Sequence, residues 1–207
     1  MDILVPLKSG CLIRRALTLL RKEDGLPILL DIFEVEGGSV HDYNARVQAP
    51  PNSLVVKGPI LKPRKGHLYT DHSNYPLLDF RSGGKVEAGW KATWGRGAEK
   101  VQATVLSDCT ELVTYRSPGW RSQFEITSDR KKYFDTVILR NRRPKSRCIV
   151  VYEVLSGPPE ISGASVREEN DLVSVTVELK HNRSIQIQTP AGIVVNSEKK
   201  WKVQKSR

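Results

Sequence analysis

The chain is expected to be all-β: an antiparallel β-sandwich of roughly ten or more strands with a small C-terminal β-subdomain. Three observations predict this. Apolar residues recur every second position along most of the chain, the period of a half-buried strand. Twelve prolines and fifteen glycines are spread so evenly that almost no window is left for a long helix. Turn-forming pairs punctuate the alternation: Asp24-Gly25, Gly37-Gly38, Gly83-Gly84, Arg96-Gly97, Pro118-Gly119 and His181-Asn182.

Taken in order, the first strand is expected over residues 12–20. Cys11–Arg21 is the one segment that also fits a helix, but Ile13, Arg15, Leu17 and Leu19 alternate as a strand would. A strongly apolar strand follows at 27–35. Residues 44–85 are poor in pattern and rich in Pro, Gly, Lys and His, which predicts long loops around short strands, one of them at 54–57. Val86, Ala88, Trp90, Ala92 and Trp94 share one face of the next strand. Further strands are expected at 101–107, 111–116 and 134–141. Cys148, Val150, Tyr152 and Val154 then oppose Ile149, Val151 and Glu153. Ser156-Gly157-Pro158-Pro159 reads as a boundary, dividing a sandwich at 1–157 from a subdomain at 158–207. The subdomain has strands near Val166 and at 172–179, 184–188 and 193–195, and it ends on the basic stretch Lys199–Arg207.

A chain of 207 residues can bury about 70% of its unfolded surface, so it needs neither disulfide nor metal to hold a core. No apolar run approaches the ~20 residues of a spanning helix, which argues against a membrane bundle. The start, Met1-Asp2-Ile3-Leu4-Val5-Pro6, does not have the basic-then-apolar pattern of a secretory leader. Cys11, Cys109 and Cys148 show no metal spacing and are expected as buried, reduced thiols; a Cys109–Cys148 bridge requires export.

Charge is distributed unevenly. The formal net charge is +10, and residues 51–150 alone hold 19 basic against 9 acidic side chains. Such an excess attracts a polyanion, either nucleic acid or an acidic polysaccharide, unless it is simply a solvated surface. No nucleophile elbow, phosphate loop, dinucleotide fingerprint or HExxH is present. His67 and His72 match no zinc signature, and His181 belongs to a turn. Trp90 and Trp94 read as core. Trp120 differs: it sits with Arg116 and Arg121 in Tyr115-Arg116-Ser117-Pro118-Gly119-Trp120-Arg121, where ring and guanidinium groups could meet an anionic sugar. His41, Asp42 and Tyr43 follow a strong strand and a Gly-Gly turn, and each can move a proton or bind a sugar hydroxyl. Each of these side chains has a structural alternative, as a strand-end residue held by its neighbours.

The string Asp31-Ile32-Phe33-Glu34-Val35-Glu36-Gly37-Gly38-Ser39-Val40-His41-Asp42-Tyr43 resembles a segment of the heparinase II/III-like polysaccharide lyases. The basic strand at Arg14–Leu19, the Pro-Gly loop at 114–119, Phe134–Arg143 and Cys148–Leu155 follow in a similar order, so the resemblance covers residues 12–155. It implies the C-terminal β-sandwich portion of an enzyme that cleaves acidic polysaccharides such as glycosaminoglycan or alginate by β-elimination. It further implies a periplasmic or secreted setting and an N-terminal helical toroid as partner within the same enzyme. In that family key His and Tyr residues come from the toroid, and others, with a zinc site, come from an H-x-H strand. Neither segment is found in this chain, so no cofactor or metal is expected here and the chain alone is expected to be inactive. Two positions depart from the family: Glu34 stands where Arg is usual, and no second His follows Tyr43. The substrate-binding candidates are His41, Asp42 and Tyr43, then Arg46, Arg116, Trp120 and Arg121. The alternatives are a non-catalytic module for acidic glycan and a basic β-domain for nucleic acid; against the latter, no base-stacking motif is seen.

Overall fold

The structure is a computed structural model that describes residues 2–7, 10–22, 25–47, 49–66, 79–118, 133–191 and 202–206. Among these the chain is all-β, with no helix. The strands are β1 (Asp2–Pro6), β2 (Leu12–Arg21), β3 (Pro27–Glu36), β4 (His41–Arg46), β5 (Val55–Lys57), β6 (Lys62–Pro63), β7 (Asp79–Val86) and β8 (Trp90–Arg96). They continue as β9 (Glu99–Val105), β10 (Cys109–Pro118), β11 (Tyr133–Asn141), β12 (Lys145–Leu155), β13 (Ile161–Glu169), β14 (Leu172–Leu179), β15 (Arg183–Pro190) and β16 (Lys202–Ser206).

Three antiparallel sheets result. A seven-stranded sheet runs β1-β2-β3-β12-β9-β8-β5, a five-stranded sheet β4-β11-β10-β7-β6, and a C-terminal sheet β13-β14-β15-β16. The seven-stranded sheet is the middle layer. Strand β12 shows why: Ile149 and Val151 point to one face and Cys148 and Val150 to the other, and all four are buried. The first pair joins Ile28, Leu30 and Ile32 of β3 and Val173, Val175 and Ile187 of the C-terminal sheet in one aliphatic cluster. The second pair joins Trp90, Ala92 and Trp94 of β8 and Leu112, Val137 and Leu139 of the five-stranded sheet in another. A strand buried on both faces needs a near-continuous apolar run, which Cys148–Val151 supplies.

Charged residues also cross the interface with the C-terminal sheet. Glu34, 3% exposed, accepts from Arg14 Nη1 at 2.8 Å and from Arg147 Nε at 2.5 Å. Arg14 continues to Pro190 O and Thr189 Oγ1 of β15, and Arg147 to Glu168 of β13. Lys22 pairs with the buried Glu153, whose carboxylate also accepts the backbone N–H of Glu160 and Ile161. The expected boundary at 157/158 falls in the connection from β12 to β13, directly beside this carboxylate.

Three local expectations are corrected. Gly83-Gly84 is not a turn but lies inside β7. A Cβ on Gly84 would stand 2.6 Å from Ile60 O, and one on Gly83 3.0 Å from Arg64 Nε, so glycine is set here by close packing. The strand expected through Val86–Trp94 is broken after Val86, and Gly89 turns the chain at φ +90° into β8. His41–Arg46, where no strand is expected, forms β4 and carries regular structure into the 44–85 segment. The strand expected at 193–195 lies outside the described residues.

Candidate functional site

The resemblance motif folds as β3, a Gly37–Ser39 turn and β4. The two strands lie in different sheets, so the turn carries the chain from the middle layer to the five-stranded one. Gly37 and Gly38 both have positive φ, and a Cβ on Gly37 would meet Gly10 O at 3.1 Å. His41 closes this turn. Its Nε2 lies 2.6 Å from Gly37 O, an atom that can only accept, so Nε2 carries the proton. Its Nδ1 lies 2.7 Å from Ser146 Oγ on β12. Both ring nitrogens are therefore engaged within the protein.

Asp42 faces the opposite way and forms a bidentate pair with Arg140 of β11, both contacts at 2.7 Å. Tyr43 points back into the core. Its hydroxyl donates to Asp31 Oδ2 at 2.7 Å and stands 2.9 Å from the Tyr152 hydroxyl. Arg15 grips the same carboxylate with Nε at 3.1 Å and Nη2 at 2.6 Å. Burial pushes the Tyr43 phenol well above its ordinary value and the Tyr152 phenol up to about 12. At neutral pH both phenols keep their protons, so neither serves as a base.

The remaining described candidates gather at the other end of the five-stranded sheet. Arg46 closes β4 with its guanidinium over the Phe134 ring, 5.0 Å from the centroid. Arg116 lies near the end of β10, in register with Asp135 of β11. Its Nη2 donates to Asn52 Oδ1, and its Nε is 3.8 Å from Asp135 Oδ1 without a hydrogen-bond partner among the described residues. A cleft of about 430 Å³ opens beside it, lined by Asn52, Leu54, Ser82, Thr114, Tyr115 and Asp135 among others. Asn44 donates to the Tyr115 hydroxyl at 2.8 Å, and burial raises that phenol too. Trp120 and Arg121, like His67 and His72, lie outside the described residues.

The five described candidates therefore do not form one constellation. His41 pairs with Asn141 at one end of β4, while Arg46 and Arg116 flank Thr136 and Asp135 at the other. Asn52, Ser82 and Asp135 were not found from sequence; each is an ordinary polar residue, Ser82 and Asp135 brought to the cleft by sheet pairing and Asn52 by the turn at 51–52. His181 sits exposed in its turn at φ +62°. All three cysteines are free thiols, and burial lifts Cys109 and Cys148 to about 12. Among the described residues no group of three His, Cys, Asp or Glu side chains could hold a metal ion. No family model matches this chain, and no curated protein matches it either.

Proposed function

We propose that this chain is the β-sandwich region of a heparinase II/III-like polysaccharide lyase, acting on a uronate-containing acidic polysaccharide in a secreted or periplasmic setting. Its role is to hold the glycan rather than to carry out the elimination, and a helical toroid supplies the acid–base groups. The observation that carries the binding role is the Arg116 cleft. A guanidinium that keeps 26% of its side chain exposed, 3.8 Å from the Asp135 carboxylate, stands among amide, hydroxyl and phenol groups that can hydrogen-bond a carboxylated sugar ring. The motif residues His41, Asp42 and Tyr43 have their polar atoms turned to protein partners, which suits a framework role.

The nucleic-acid reading finds less support. Trp90 and Trp94 are core residues and present no stacking face to solvent. The test has two parts. Incubated with heparin or alginate, the chain is expected to produce no unsaturated uronate by ultraviolet absorbance; turnover would overturn the non-catalytic role. On heparin and DNA columns at matched salt, heparin is expected to retain the protein longer. Arg116→Gln is expected to weaken glycan binding several-fold, since one charge-assisted contact is removed; an unchanged affinity would remove the cleft from the proposal.

A further inference from the structure

The middle sheet overhangs the five-stranded sheet at its β1 end. The five-stranded sheet stops on that side at β4, whose Tyr43 reaches Asp31 of β3 and Tyr152 of β12. Among the described residues, the apolar cluster between the two sheets draws on β3, β12, β9, β8 and β5 of the middle sheet and has no member from β2 or β1. Those two strands therefore run on past β4 as a ledge about 10 Å wide.

Strand register fixes what the ledge displays. Asp31 faces the five-stranded layer, since it accepts from the Tyr43 hydroxyl. Leu17 is paired with Asp31 and shares its side of the sheet. Alternation puts Ile13, Arg15 and Leu19 on that side as well. Val5 of β1 lies opposite Ile13, and Leu29 of β3 opposite Leu19. Ala16 and Leu20 point the other way, into the cluster under the C-terminal sheet, so the far face of β2 is already packed. On the ledge itself Leu19 is 64% and Val5 42% exposed, and Ile13, Leu17 and Leu29 are half-buried. The charges among them are balanced, because Arg15 grips Asp31 with two nitrogens. Adjoining aliphatic side chains left to water in this way mark a contact surface rather than scattered exposure.

The fold also limits what can lie there. Strand β2 is ten residues long, which gives the ledge a footprint of roughly 300 Å². A standard interface between two proteins takes about 800 Å² from each partner. A second copy related by a two-fold axis is blocked as well. To set its β4 beside this one it would drive its own β1–β2 overhang into the same space. A single extended chain fits the width. Among the described residues β4 has no further strand beside it, so such a chain gains ladder hydrogen bonds along with apolar contact.

We propose that the ledge takes an extended segment of a partner protein, added as a strand beside β4. Apolar side chains at alternate positions of that segment sit on Ile13, Leu17 and Leu19, and the polar ones between them turn to solvent. Any chain folded this way presents the same ledge, whatever the cleft beside Arg116 binds.

The test is a selection of displayed random peptides, about the length of β2, on the full chain, with Leu19→Asp as counter-target. Leu19 is the most exposed of the group, so the variant should keep the melting temperature of the parent. Enriched peptides are expected to carry Val, Ile, Leu or aromatic residues at every second position. By fluorescence anisotropy they should bind the parent about tenfold more tightly than Leu19→Asp. They should also slow hydrogen exchange at the β4 amides. Apolar residues enriched at helical spacing would overturn the added strand. Enrichment that Leu19→Asp matches, or no enrichment at all, would overturn the ledge as a docking site. A dimer of the parent alone in sedimentation, dissociated by Leu19→Asp, would give the ledge to a second copy and overturn the partner.

Discussion

The two faces of the middle sheet are held by different chemistry. Towards the C-terminal sheet the contact is aliphatic, and full charges run through it: Arg14, Glu34 and Arg147 in one line, Lys22 and Glu153 in another. Towards the five-stranded sheet the contact is aromatic and thiol-rich, and most of its polar links are neutral: Tyr43 with Tyr152, His41 with Ser146, Trp94 Nε1 with Asp135 O. The exception is Asp31, whose charge is balanced by Arg15 at the rim. The difference accounts for the buried Glu34, which is the anion between two arginines. A third guanidinium at that buried point would repel both.

The comparison can be broken most strongly at Glu34. Glu34→Ala leaves Arg14 buried without its counter-charge and is expected to cost about 3–5 kcal/mol in urea denaturation. The double change Arg14→Met/Glu34→Leu should recover most of that loss, because apolar groups of similar volume often replace a buried pair at little cost. If Glu34→Ala alone proves neutral, the charges are not what joins these two layers.

On the other face the expected losses are smaller. Tyr43→Phe removes one donor from Asp31 while Arg15 still holds the carboxylate, so about 1–2 kcal/mol is expected by the same measurement. Alkaline pH should select for this face as well. The buried Cys148 thiol holds its proton to about 12 in the folded chain, against 9.0 as an ordinary value. The folded state thus binds more protons than the unfolded one across that window, and stability must fall as pH rises from about 9. For this thiol the loss is about 1 kcal/mol by pH 10. Cys148→Ala should flatten the fall in melting temperature between pH 8 and 10, and a slope identical to that of the parent protein would sink the assignment. The smallest effect is expected at Leu19, which is 64% exposed on β2: Leu19→Ser should stay within about 0.5 kcal/mol.

Much of the layering was legible in the alternation of Val, Ile, Leu and Trp, since a period of two states which face each residue takes. For Cys148–Val151 the period of two predicts a half-buried strand, whereas the structure buries both of its faces. Strand β4 was harder to see because Asp42 and Asn44 are weak strand formers, although His41, Tyr43 and Ala45 alternate inward as a strand requires. The roles of the candidates were less legible for a physical reason. The imidazole of His41 is occupied by Gly37 and by Ser146, a residue 105 positions away, and no local pattern encodes that encounter.

Strand β12 has a consequence for how the molecule comes apart. It pairs with β3 on one side and β9 on the other and contributes to both apolar clusters. Melting either interface strips one face of the strand on which the other depends. The three layers therefore form a single cooperative unit, and hydrogen exchange at the β12 amides should report the global opening of the chain rather than a local fluctuation.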